Sequence, residues 1–498
     1  MYNRGSSLSL GGICSPALER TMNEPPHPVS REELSTVGRD TLASQMDKSG
    51  AKAKNIMKRL EQSGIEHVRL ETLDLAGVIR GRAVTPSLLE KAFEEGLNMS
   101  TAIFSFTLLE HMVPNPRWGP EDADFYMVPD EETLEIVPYL DRTARMYAWL
   151  KDEHDKPWEG DPRGGLARSL SGLEKDGMVA RAAYEGEAYL VRKTEIGYVP
   201  ADNSKCFTAD GLDIQSSVLN GIFGSMRQMN IKAEKATAEY GPGQYEVNLE
   251  HQPLLRSCDS FLTFKQAWRA IARQHGLVGT FMPKPFEDKA GSGLHVHINL
   301  ADKRSGRNLF FDKSDKRGIG LSKLGYQFLG GLIEHAPALT AIGACSVNSY
   351  RRMRPGTWAP AHACYGVGNR AVMIRIPRRM DRSMRLELRS ADGTCNPYLL
   401  GNSVLAAGTH GIEEDMDPGD PISEDIGTWS DDKAESEGCP RLPESLGEAI
   451  DWLRKDKALM KRVSTVMLDE FIKIKRAEWD DYQCHVSDWE LRTYLETF

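Results

Sequence analysis

The 498-residue sequence lacks the features that mark several large classes of protein. No stretch approaches the ~18 consecutive apolar residues that a membrane span needs. The N-terminal segment MYNRGSSLSLGGICSPALER holds no sustained apolar run of the kind found in signal peptides. The eight cysteines are scattered singly, without a C-x-x-C pair. This spacing predicts free thiols in a reducing cytoplasm and argues against a cysteine-based zinc site.

Basic residues are also in the minority. The chain has 62 lysines and arginines against 72 aspartates and glutamates, a formal net charge of −10. That balance argues against nucleic-acid or membrane partners, so a basic cluster should be local and serve one purpose. One such cluster is NSYRRMRPGTWAP, residues 348–360, where three arginines precede a Pro-Gly turn and Trp358. The segment could bind an anion and close over it, which leaves the bulky aromatic side chain to be explained.

Composition divides the chain into three predicted parts. Residues 1–50 are rich in Ser, Gly, Pro and charge, and are predicted to form a mobile N-terminal extension. Residues 51–155 predict a small α+β domain with a helix ending at Gly64, a hairpin around an Ala-Gly turn and a second helix in SLLEKAFEEG. The segment WEGDPRG predicts a linker, and residues 156–498 a catalytic domain that mixes strands with helices. An acidic segment, residues 413–440, predicts a long loop.

Four short segments alternate apolar with charged or imidazole side chains. Residues two apart on a strand point to the same face, so each segment predicts one apolar and one charged face. The charged faces comprise Glu185 and Glu187, His295 and His297, Arg385, Glu387 and Arg389, and the pair Glu239 and Glu246 around a Gly-Pro-Gly turn. The alternative interpretation is a sheet whose outer face is simply solvated.

The composition of these faces indicates a site for phosphate chemistry. Carboxylates gathered without a cation would repel and raise one another's pKa, whereas a divalent metal would neutralise them. Oxygen-rich ligands with few imidazoles suit Mg²⁺ or Mn²⁺, and arginines grip carboxylate and phosphate in a bidentate manner. Together they predict phosphoryl transfer from a nucleotide. The sequence contains no G-x-x-x-x-G-K-[ST], so a P-loop would not hold the phosphates.

Five longer motifs carry a family resemblance. From about residue 55 onward the chain resembles glutamine synthetases of the bacterial type. The motifs are EYGPGQYEVNL, FMPKPFEDKAGSGLHVHINL, NSYRRMRPGTWAP, GNRAVMIRIP and RLELRSADGTCNPYLLGNSVLAAG. The resemblance implies an α+β fold, with a small N-terminal β-grasp-like domain and a large catalytic domain built on a curved antiparallel sheet. It also implies a homo-oligomer, a dodecamer of two hexameric rings, with each active site formed between neighbouring subunits.

The resemblance also implies roles for individual residues. The implied metal ligands are Glu187, Glu239 and Glu246 for one ion, and Glu185, His295 and Glu387 for a second ion on the ATP phosphates. The implied glutamate-binding residues are Gly291, Arg352 and Arg389. The implied phosphate-binding arginines are Arg370, Arg375 and Arg385, and His297 would lie beside the transferring phosphate. Among these, Arg370, His297 and Arg352 are the expected catalytic residues, with Mg²⁺ or Mn²⁺ as the metal.

The implied reaction has two steps. The γ-carboxylate of L-glutamate attacks ATP and gives γ-glutamyl phosphate and ADP. A nitrogen nucleophile then attacks the acyl phosphate and expels phosphate. Because water would destroy the intermediate, a closing loop is expected, and residues 348–360 match the family's flap.

The sequence departs from the family where ammonium would bind. Family members that make glutamine carry a glutamate where this chain has Trp358, and Ser100 and Ile103 fall where an aspartate and a serine would be. Desolvating ammonium beside neutral groups is costly, whereas an aromatic or alkyl amine gains from apolar burial. The sequence therefore predicts an amine pocket and a glutamate–amine ligase of amine catabolism, acting on an apolar amine such as aniline or isopropylamine.

Several alternatives stay open at this point. Trp358 could merely pack the closed flap, and polyamines such as putrescine and spermine are the nearest rival substrates. Two further hypotheses are a true glutamine synthetase that uses ammonia and a non-catalytic structural assembly. Trp429 lies near the position of a tyrosine that is adenylylated in some bacterial members, so the sequence predicts that this control is absent. The residue that accepts the proton from the attacking nitrogen is not identified.

Overall fold

A six-stranded sheet organises the N-terminal part of the protein. The computed structural model describes residues 53–378 and 381–498, and the predicted mobile extension lies outside them. The strands of this sheet are β1 His67–Leu73, β2 Ile79–Val84, β3 Leu97–Met99, β4 Phe125–Pro129, β5 Glu135–Ile136 and β6 Thr143–Lys151. Their order is β2-β1-β6-β4-β3, and β5 pairs with β6. β1 is antiparallel to β2 and parallel to β6, which gives the mixed sheet expected of a β-grasp-like unit.

A larger sheet of ten strands follows along the chain. Its strands are β7 Met178–Thr194, β8 Gly197–Pro200, β9 Ala233–Ala238, β10 Gln244–Leu249, β11 Gln252–Pro253, β12 Val278–Thr280, β13 Leu294–Asp302, β14 Tyr365–Val367, β15 Ile374–Ile376 and β16 Leu386–Leu388. The main order is β14-β15-β16-β13-β7-β10-β9, while β8, β11 and β12 also pair with β7. The sheet is curved and antiparallel apart from the β14–β15 pair. The predicted α+β fold with a small and a large curved sheet is confirmed.

Helices cover one face of each sheet. The first, α1, is described over residues 53–62. The others are α2 Pro86–Glu95, α3 Pro162–Lys175, α4 Ala209–Ile214, α5 Ser216–Gln228, α6 Leu254–Gln274, α7 Lys323–Glu334, α8 Ala336–Gly343, α9 Ser349–Arg352, α10 Pro397–Glu413, α11 Asp431–Ser436, α12 Leu446–Lys455, α13 Lys457–Val463, α14 Thr465–Gln483 and α15 Asp488–Tyr494. No helix in the described ranges has both the length and the apolar run needed to cross a membrane.

The local predictions for the N-terminal part agree with these elements. β1 and β2 form the predicted hairpin, and Gly77 in its turn has a φ of 86°, a conformation that glycine adopts without strain. Two other predictions need correction. Residues 158–164 do not form an exposed linker, because Trp158 is buried and the buried Asp161 caps α3 by accepting a hydrogen bond from the Arg163 amide. The acidic segment 413–440 includes α11 and a short 3₁₀ helix, so only part of it is a loop.

Each sheet has its own hydrophobic core. In the large sheet, the apolar face of β7 packs on α6, where Tyr184 stacks on Phe261 with ring centroids 5.3 Å apart. In the small sheet, Phe104 and Trp158 meet edge to face at 4.7 Å. The core of the small sheet also takes in Met467 of α14. Helix α14 therefore packs on the N-terminal sheet, and the domain division near residue 155 stays a prediction.

A buried arginine connects α3, α6 and the end of β4. Arg163 is 3% exposed and donates two hydrogen bonds to the Asp259 carboxylate, at 2.9 and 3.0 Å, and one to Asp130 at 2.7 Å. Its guanidinium carbon also lies 4.0 Å from the Trp149 ring centroid. A buried charge of this kind is tolerated because each carboxylate it faces is hydrogen-bonded to it.

Replacing Arg163 by alanine should lower the free energy of unfolding by about 3–5 kcal/mol, because Asp259 and Asp130 would then be buried without their cation. Urea unfolding followed by tryptophan fluorescence measures the change. The matched control is Arg117→Ala, which removes an exposed pair with Glu159 at 2.7 Å and should cost less than about 1 kcal/mol. Equal unfolding midpoints for the two variants would contradict the role given to Arg163.

Candidate active site

Strand register gathers the predicted charged residues on one face of the large sheet. Glu185 on β7 lies directly opposite His295 on β13 and Asn248 on β10, and Glu187 lies opposite Glu246. Because side chains alternate along a strand, all five project to the same face, while their neighbours in sequence pack on the helices. Glu246 and His295 are buried. The alternative of a solvated outer face is therefore wrong.

Glu185 is the centre of this cluster. His295 Nδ1 lies 3.4 Å from its Oε1, His297 Nε2 lies 3.2 Å from its Oε2, and the Asn248 amide donates to Oε2. Burial by itself raises the pKa of Glu185, but the hydrogen bonds and charges of the two histidines outweigh burial and hold that pKa well below its usual range. Glu185 is thus held ionised.

The neighbouring carboxyl groups have the opposite shift. Burial, followed by the negative charge of Glu185, raises the pKa of Glu246. Burial, followed by the charge of Glu187, raises the pKa of Glu239 to about 7. Carboxyl groups shifted in this direction are crowded by like charge and would be stabilised as anions by a nearby cation.

A metal ion fits the centre of this cluster. Glu185, Glu246 and His295 each offer one ligand atom, and the three atoms lie within 4.8 Å of one another. Two carboxylate oxygens and one imidazole nitrogen suit Mg²⁺ or Mn²⁺. The sequence predicts Glu246 as a ligand of one ion and Glu185 and His295 as ligands of the other, and this one cluster contains ligand atoms from both predicted sets.

Glu387 on β16 lies in the same face but is held by arginines. Arg389 Nη1 donates to its Oε1 at 2.7 Å, and Arg375 donates to its Oε2. His295 Nδ1 is 3.9 Å from Oε1. Burial raises the pKa of Glu387, but the two histidines and then these arginines lower it to about 2. Its predicted role as a metal ligand stays a prediction.

The predicted phosphate-binding arginines separate into two groups. Arg385 Nε donates to His297 Nδ1 at 3.1 Å, so the other ring nitrogen of His297 carries the proton that faces Glu185. Arg375 is also in the cluster through Glu387. Arg370, in contrast, is exposed and reaches the cluster only through its charge, which lowers the pKa of Glu239.

The three residues predicted to bind glutamate lie together beside the carboxylates. Arg352 is buried, and its Nη1 and Nη2 donate to the carbonyl oxygens of Ala391 at 3.3 Å and Arg389 at 3.0 Å. The Nε atom of Arg389 is buried and has no hydrogen-bond partner among the described residues. Gly291 lies under Arg352, where an added Cβ would be 2.7 Å from the Arg352 Cγ. These residues could hold a carboxylate.

The three residues of the predicted amine pocket are not brought together within one chain. Trp358 is 57% exposed, with a φ of 58°, and borders a cavity of about 360 Å³ that Arg370 also lines. Ser100 is exposed and caps a 3₁₀ helix, Thr101–Ser105, by accepting from the Ala102 amide at 3.3 Å. Ile103 packs against the core of the small sheet. Neither Ser100 nor Ile103 lines the Trp358 cavity.

Two amide side chains of the site were missed at the level of sequence. Gln244 donates to Glu187 at 3.2 Å and to the Gly291 carbonyl at 2.9 Å, and Asn248 donates to Glu185. They orient the carboxylates and tie them to the glycine segment. Both lie two residues from Glu246 on β10, so the same alternation that identified Glu246 could have identified them.

Comparison with known proteins agrees with this fold. Residues 159–494 match the family model described as the glutamine synthetase catalytic domain. The chain belongs to the glutamine synthetase family, and it is an enzyme of the ATP-dependent ligase class. The predictions of family and enzyme class are confirmed.

Relatives of the chain include both amine and ammonia ligases. It is 36% identical over 451 residues to a protein named glutamate–methylamine ligase from Methyloversatilis universalis. The aligned region covers 88% of this chain and 98% of that protein. It is 34% identical over 450 residues to a glutamine synthetase of Halobacterium salinarum, with 89% and 96% covered. Two solved structures, a GmaS–ADP complex and GmaS without ligand, have TM-scores of 0.79 and 0.77 at 32% identity, and each covers at least 87% of this chain. These likenesses support the glutamate–amine ligase branch of the family.

Removing the Glu246 carboxylate should weaken Mn²⁺ binding by at least about tenfold and abolish turnover, because one of three clustered ligands is lost. Manganese binding followed by electron paramagnetic resonance measures the first effect. Glu234→Ala is the control, since Glu234 lies half-exposed on neighbouring β9 and pairs with Lys232 at 3.0 Å. Unchanged metal binding in Glu246→Ala would show that the metal lies elsewhere.

Adding a methyl group at Gly291 should raise the KM for glutamate by about tenfold, because the new Cβ would displace Arg352. Initial-rate measurements at varied glutamate give the KM. Gly172→Ala in α3 is the matched control, since a Cβ there meets nothing within 4 Å. A variant that binds glutamate as the wild type does would separate Gly291 and Arg352 from the glutamate site.

Proposed function

We propose that the protein joins a small organic amine to the γ-carboxylate of L-glutamate and converts ATP to ADP and phosphate. The observation that carries this proposal is Trp358, an aromatic residue of the predicted flap that lines one cavity with Arg370, a predicted phosphate-binding residue. The similarity to a protein named glutamate–methylamine ligase supports it. This reaction would be the entry step of amine catabolism in the cytoplasm.

Glutamate would bind at Arg352 and Arg389. Arg352 is fixed by two carbonyl oxygens, and the Nε of Arg389 has no partner within residues 53–378 and 381–498, so both can present N–H groups to a carboxylate without rearrangement. Gly291 leaves the space that a side chain would otherwise fill. The γ-carboxylate of the bound glutamate would then point toward the cluster around Glu185.

Nucleotide phosphates would bind on the opposite side of the carboxylates. Glu187, Glu239 and Glu246, and Glu185, His295 and Glu387, would hold the divalent ions, which supply charge neutralisation for the transferring phosphoryl group. Arg375 contacts this cluster through Glu387 and Arg385 through His297, while Arg370, which lines the Trp358 cavity, acts on the cluster through its charge. His297 is oriented between Arg385 and Glu185, so its protonated nitrogen can interact with a phosphate oxygen.

The reaction would follow two balanced steps. An oxygen of the γ-carboxylate attacks the terminal phosphorus of ATP, and the bond to ADP breaks. The amine nitrogen then attacks the carbonyl carbon of γ-glutamyl phosphate, phosphate leaves with the bonding electrons, and the nitrogen loses one proton. The arginines stabilise the charge that develops on the phosphoryl oxygens, and the flap, residues 348–360, excludes water.

The amine is proposed to be a short alkylamine, with methylamine first and isopropylamine next, while aniline is the aromatic member of the same class. An alkyl or aryl group gains from contact with the Trp358 ring at roughly 25 cal/mol per Å² of buried surface. A polyamine fits less well. Its distal ammonium would meet two arginines, Arg370 and Arg378, against the single carboxylate of Asp425, which already accepts from the Gly427 amide.

Two other functions are the competing candidates. Glutamine synthesis from ammonia is favoured by the relatives with that name, at 34% identity over 89% of this chain for one of them. A non-catalytic assembly is disfavoured by the cluster of Glu185, Glu246 and His295, whose ligand atoms could hold a metal ion. We also propose a ring-shaped dodecamer, since Ser100 and Ile103 would need to come from a neighbouring copy to reach the Trp358 cavity.

The proposal is tested by measuring phosphate release with ATP, Mg²⁺ and L-glutamate. The nitrogen acceptors compared are ammonium, methylamine, isopropylamine, aniline, putrescine and spermine. We expect an alkylamine to give the highest kcat/KM and ammonium a much lower one. The Trp358→Glu variant should lose about tenfold or more in kcat/KM for the alkylamine and gain for ammonium, because an apolar contact is exchanged for a carboxylate.

Trp489→Glu is the matched control, because Trp489 is also 57% exposed but lies on the C-terminal helix α15. It should leave the order of preference unchanged. If the wild-type protein turns over ammonium fastest, its function is glutamine synthesis and the proposal is wrong. No turnover with any amine or ammonium would favour the non-catalytic assembly.

A further inference from the structure

A second cavity, of about 670 Å³, lies between the β1–β2 hairpin and α6. None of the predicted catalytic, metal or substrate-binding residues lines it. Its walls carry mostly positive charge. The charged side chains that border it are Arg69, Lys265, Arg269, Arg273 and Lys475 as cations and Glu71 as the one carboxylate. We call it the α6 cavity.

Three of the cations form a stripe along α6. Lys265, Arg269 and Arg273 are spaced four residues apart, so they lie one above the other on one face of the helix. Successive positions are about 6 Å apart along the helix axis. Like charges at this spacing repel and destabilise a helix. None of the three forms an ion pair with a carboxylate in the described ranges, 53–378 and 381–498.

The carboxylates nearest to the cavity already form ion pairs with cations outside the stripe. Glu71 pairs with Arg69 at 3.0 Å and Arg145 at 3.6 Å, and it accepts a hydrogen bond from Gln266 at 2.7 Å. The fifth cation, Lys475, pairs with its own helix neighbour Glu478 at 3.0 Å. Among the described residues, the one carboxylate that lines the cavity, Glu71, is thus paired with cations outside the stripe.

Lys265 is one of the residues that line the α6 cavity. Its side chain is buried, and its ammonium group donates to the Gly393 carbonyl oxygen at 2.7 Å. Burial, followed by the charge of Arg269, lowers the pKa of Lys265 to about 8, while Cys395, Cys345 and Asp392 oppose this shift. A cation held in this way would be stabilised by an anion within hydrogen-bonding distance.

A second group in the wall also lacks a partner. Tyr139 is 9% exposed and borders the α6 cavity. Its hydroxyl is buried without a hydrogen-bond partner among the described residues. Buried hydroxyl groups are usually satisfied, so an orphaned one in a cavity wall indicates a missing acceptor or donor.

We propose that the α6 cavity binds a small polyanion with two or more carboxylate or phosphate groups, held by Lys265, Arg269 and Arg273. The spacing of the stripe matches anionic groups about 6 Å apart, or a longer ligand that spans all three. Two of the cations are arginines, which bind carboxylate and phosphate through paired N–H groups. The Tyr139 hydroxyl would donate to the same ligand.

The position of Lys265 gives the ligand a route to the active site. Gly393, which Lys265 holds, lies four residues from Arg389 and two from Ala391, whose carbonyl oxygen fixes Arg352. An anion that draws the Lys265 ammonium away from Gly393 would release one support of this segment. We therefore expect the bound polyanion to change the KM for glutamate.

Isothermal titration of the full-length protein with citrate, and separately with tripolyphosphate, tests the binding. Saturating ADP, Mg²⁺ and L-glutamate are present so that the active site is filled. We expect wild-type protein to bind at least one of the two probes. The Arg269→Gln/Arg273→Gln variant should bind about tenfold more weakly, because two charge-assisted contacts are lost. The probe that binds more tightly indicates whether the cavity prefers a ligand with carboxylate groups or one with phosphate groups.

The matched control is Arg304→Gln/Arg307→Gln, which removes two exposed arginines from the loop after β13. It should bind the probe as the wild type does. Equal weakening in both double variants would show that the probe responds to overall charge, and absence of binding to the wild type would overturn the proposal. Neither result depends on which amine the enzyme uses, so this test is independent of the proposed function.

The effect on the active site is measured as the KM for glutamate with and without the bound probe. We expect a change in the wild type and in Arg304→Gln/Arg307→Gln, and none in Arg269→Gln/Arg273→Gln. A change of the same size in all three proteins would place the probe in the active site and overturn the link through Gly393. An unchanged KM in the wild type would also overturn that link.

Discussion

The pairing register of β7 with β10 and β13 is the constraint on which the active site depends. It places Glu185 between Asn248 and His295 and sets Glu187 against Glu246. A slip of one residue would turn every one of these side chains to the other face. The opposite face forbids such a slip, because a Cβ on Gly186 would already lie 2.9 Å from Phe261 of α6. The hydrophobic core therefore fixes the catalytic geometry.

Burial and charge together divide the carboxyl groups into two kinds. Glu185 and Glu387 are held ionised by histidines and arginines, and their pKa values are lowered despite burial. In Glu239 and Glu246, burial and the charge of neighbouring carboxylates prevail and raise the pKa values, although Arg370 acts on Glu239 and Lys235 lies 3.7 Å from Glu246. The first kind supplies fixed negative charge, whereas the second kind would be stabilised as anions by a divalent cation. This asymmetry is the physical reason to expect metal ions in the cluster.

The sequence predicted the faces of the strands but not what lies across from them. Spacing of two residues was enough to place Glu185 with Glu187 and His295 with His297, since alternation is a local property. The pairing of Glu387 with Arg375 depends on register between β15 and β16, which no local pattern contains. The orphaned hydroxyl of Tyr139 was equally out of reach, because it depends on packing between distant segments.

Helix α6 connects the two parts of the molecule that this chemistry involves. Phe261, Phe264 and Trp268 on one face are buried in the core beneath the large sheet. A different face carries Lys265 and the arginine stripe toward the β1–β2 hairpin of the small sheet. A rigid helix fixed on one side by aromatic packing keeps its cations in place even though they repel one another. The charge of the stripe is thus a stable feature of the fold. The contact that a bound anion would replace is the hydrogen bond from the Lys265 ammonium group to the Gly393 carbonyl oxygen, close to the segment that orients Arg352.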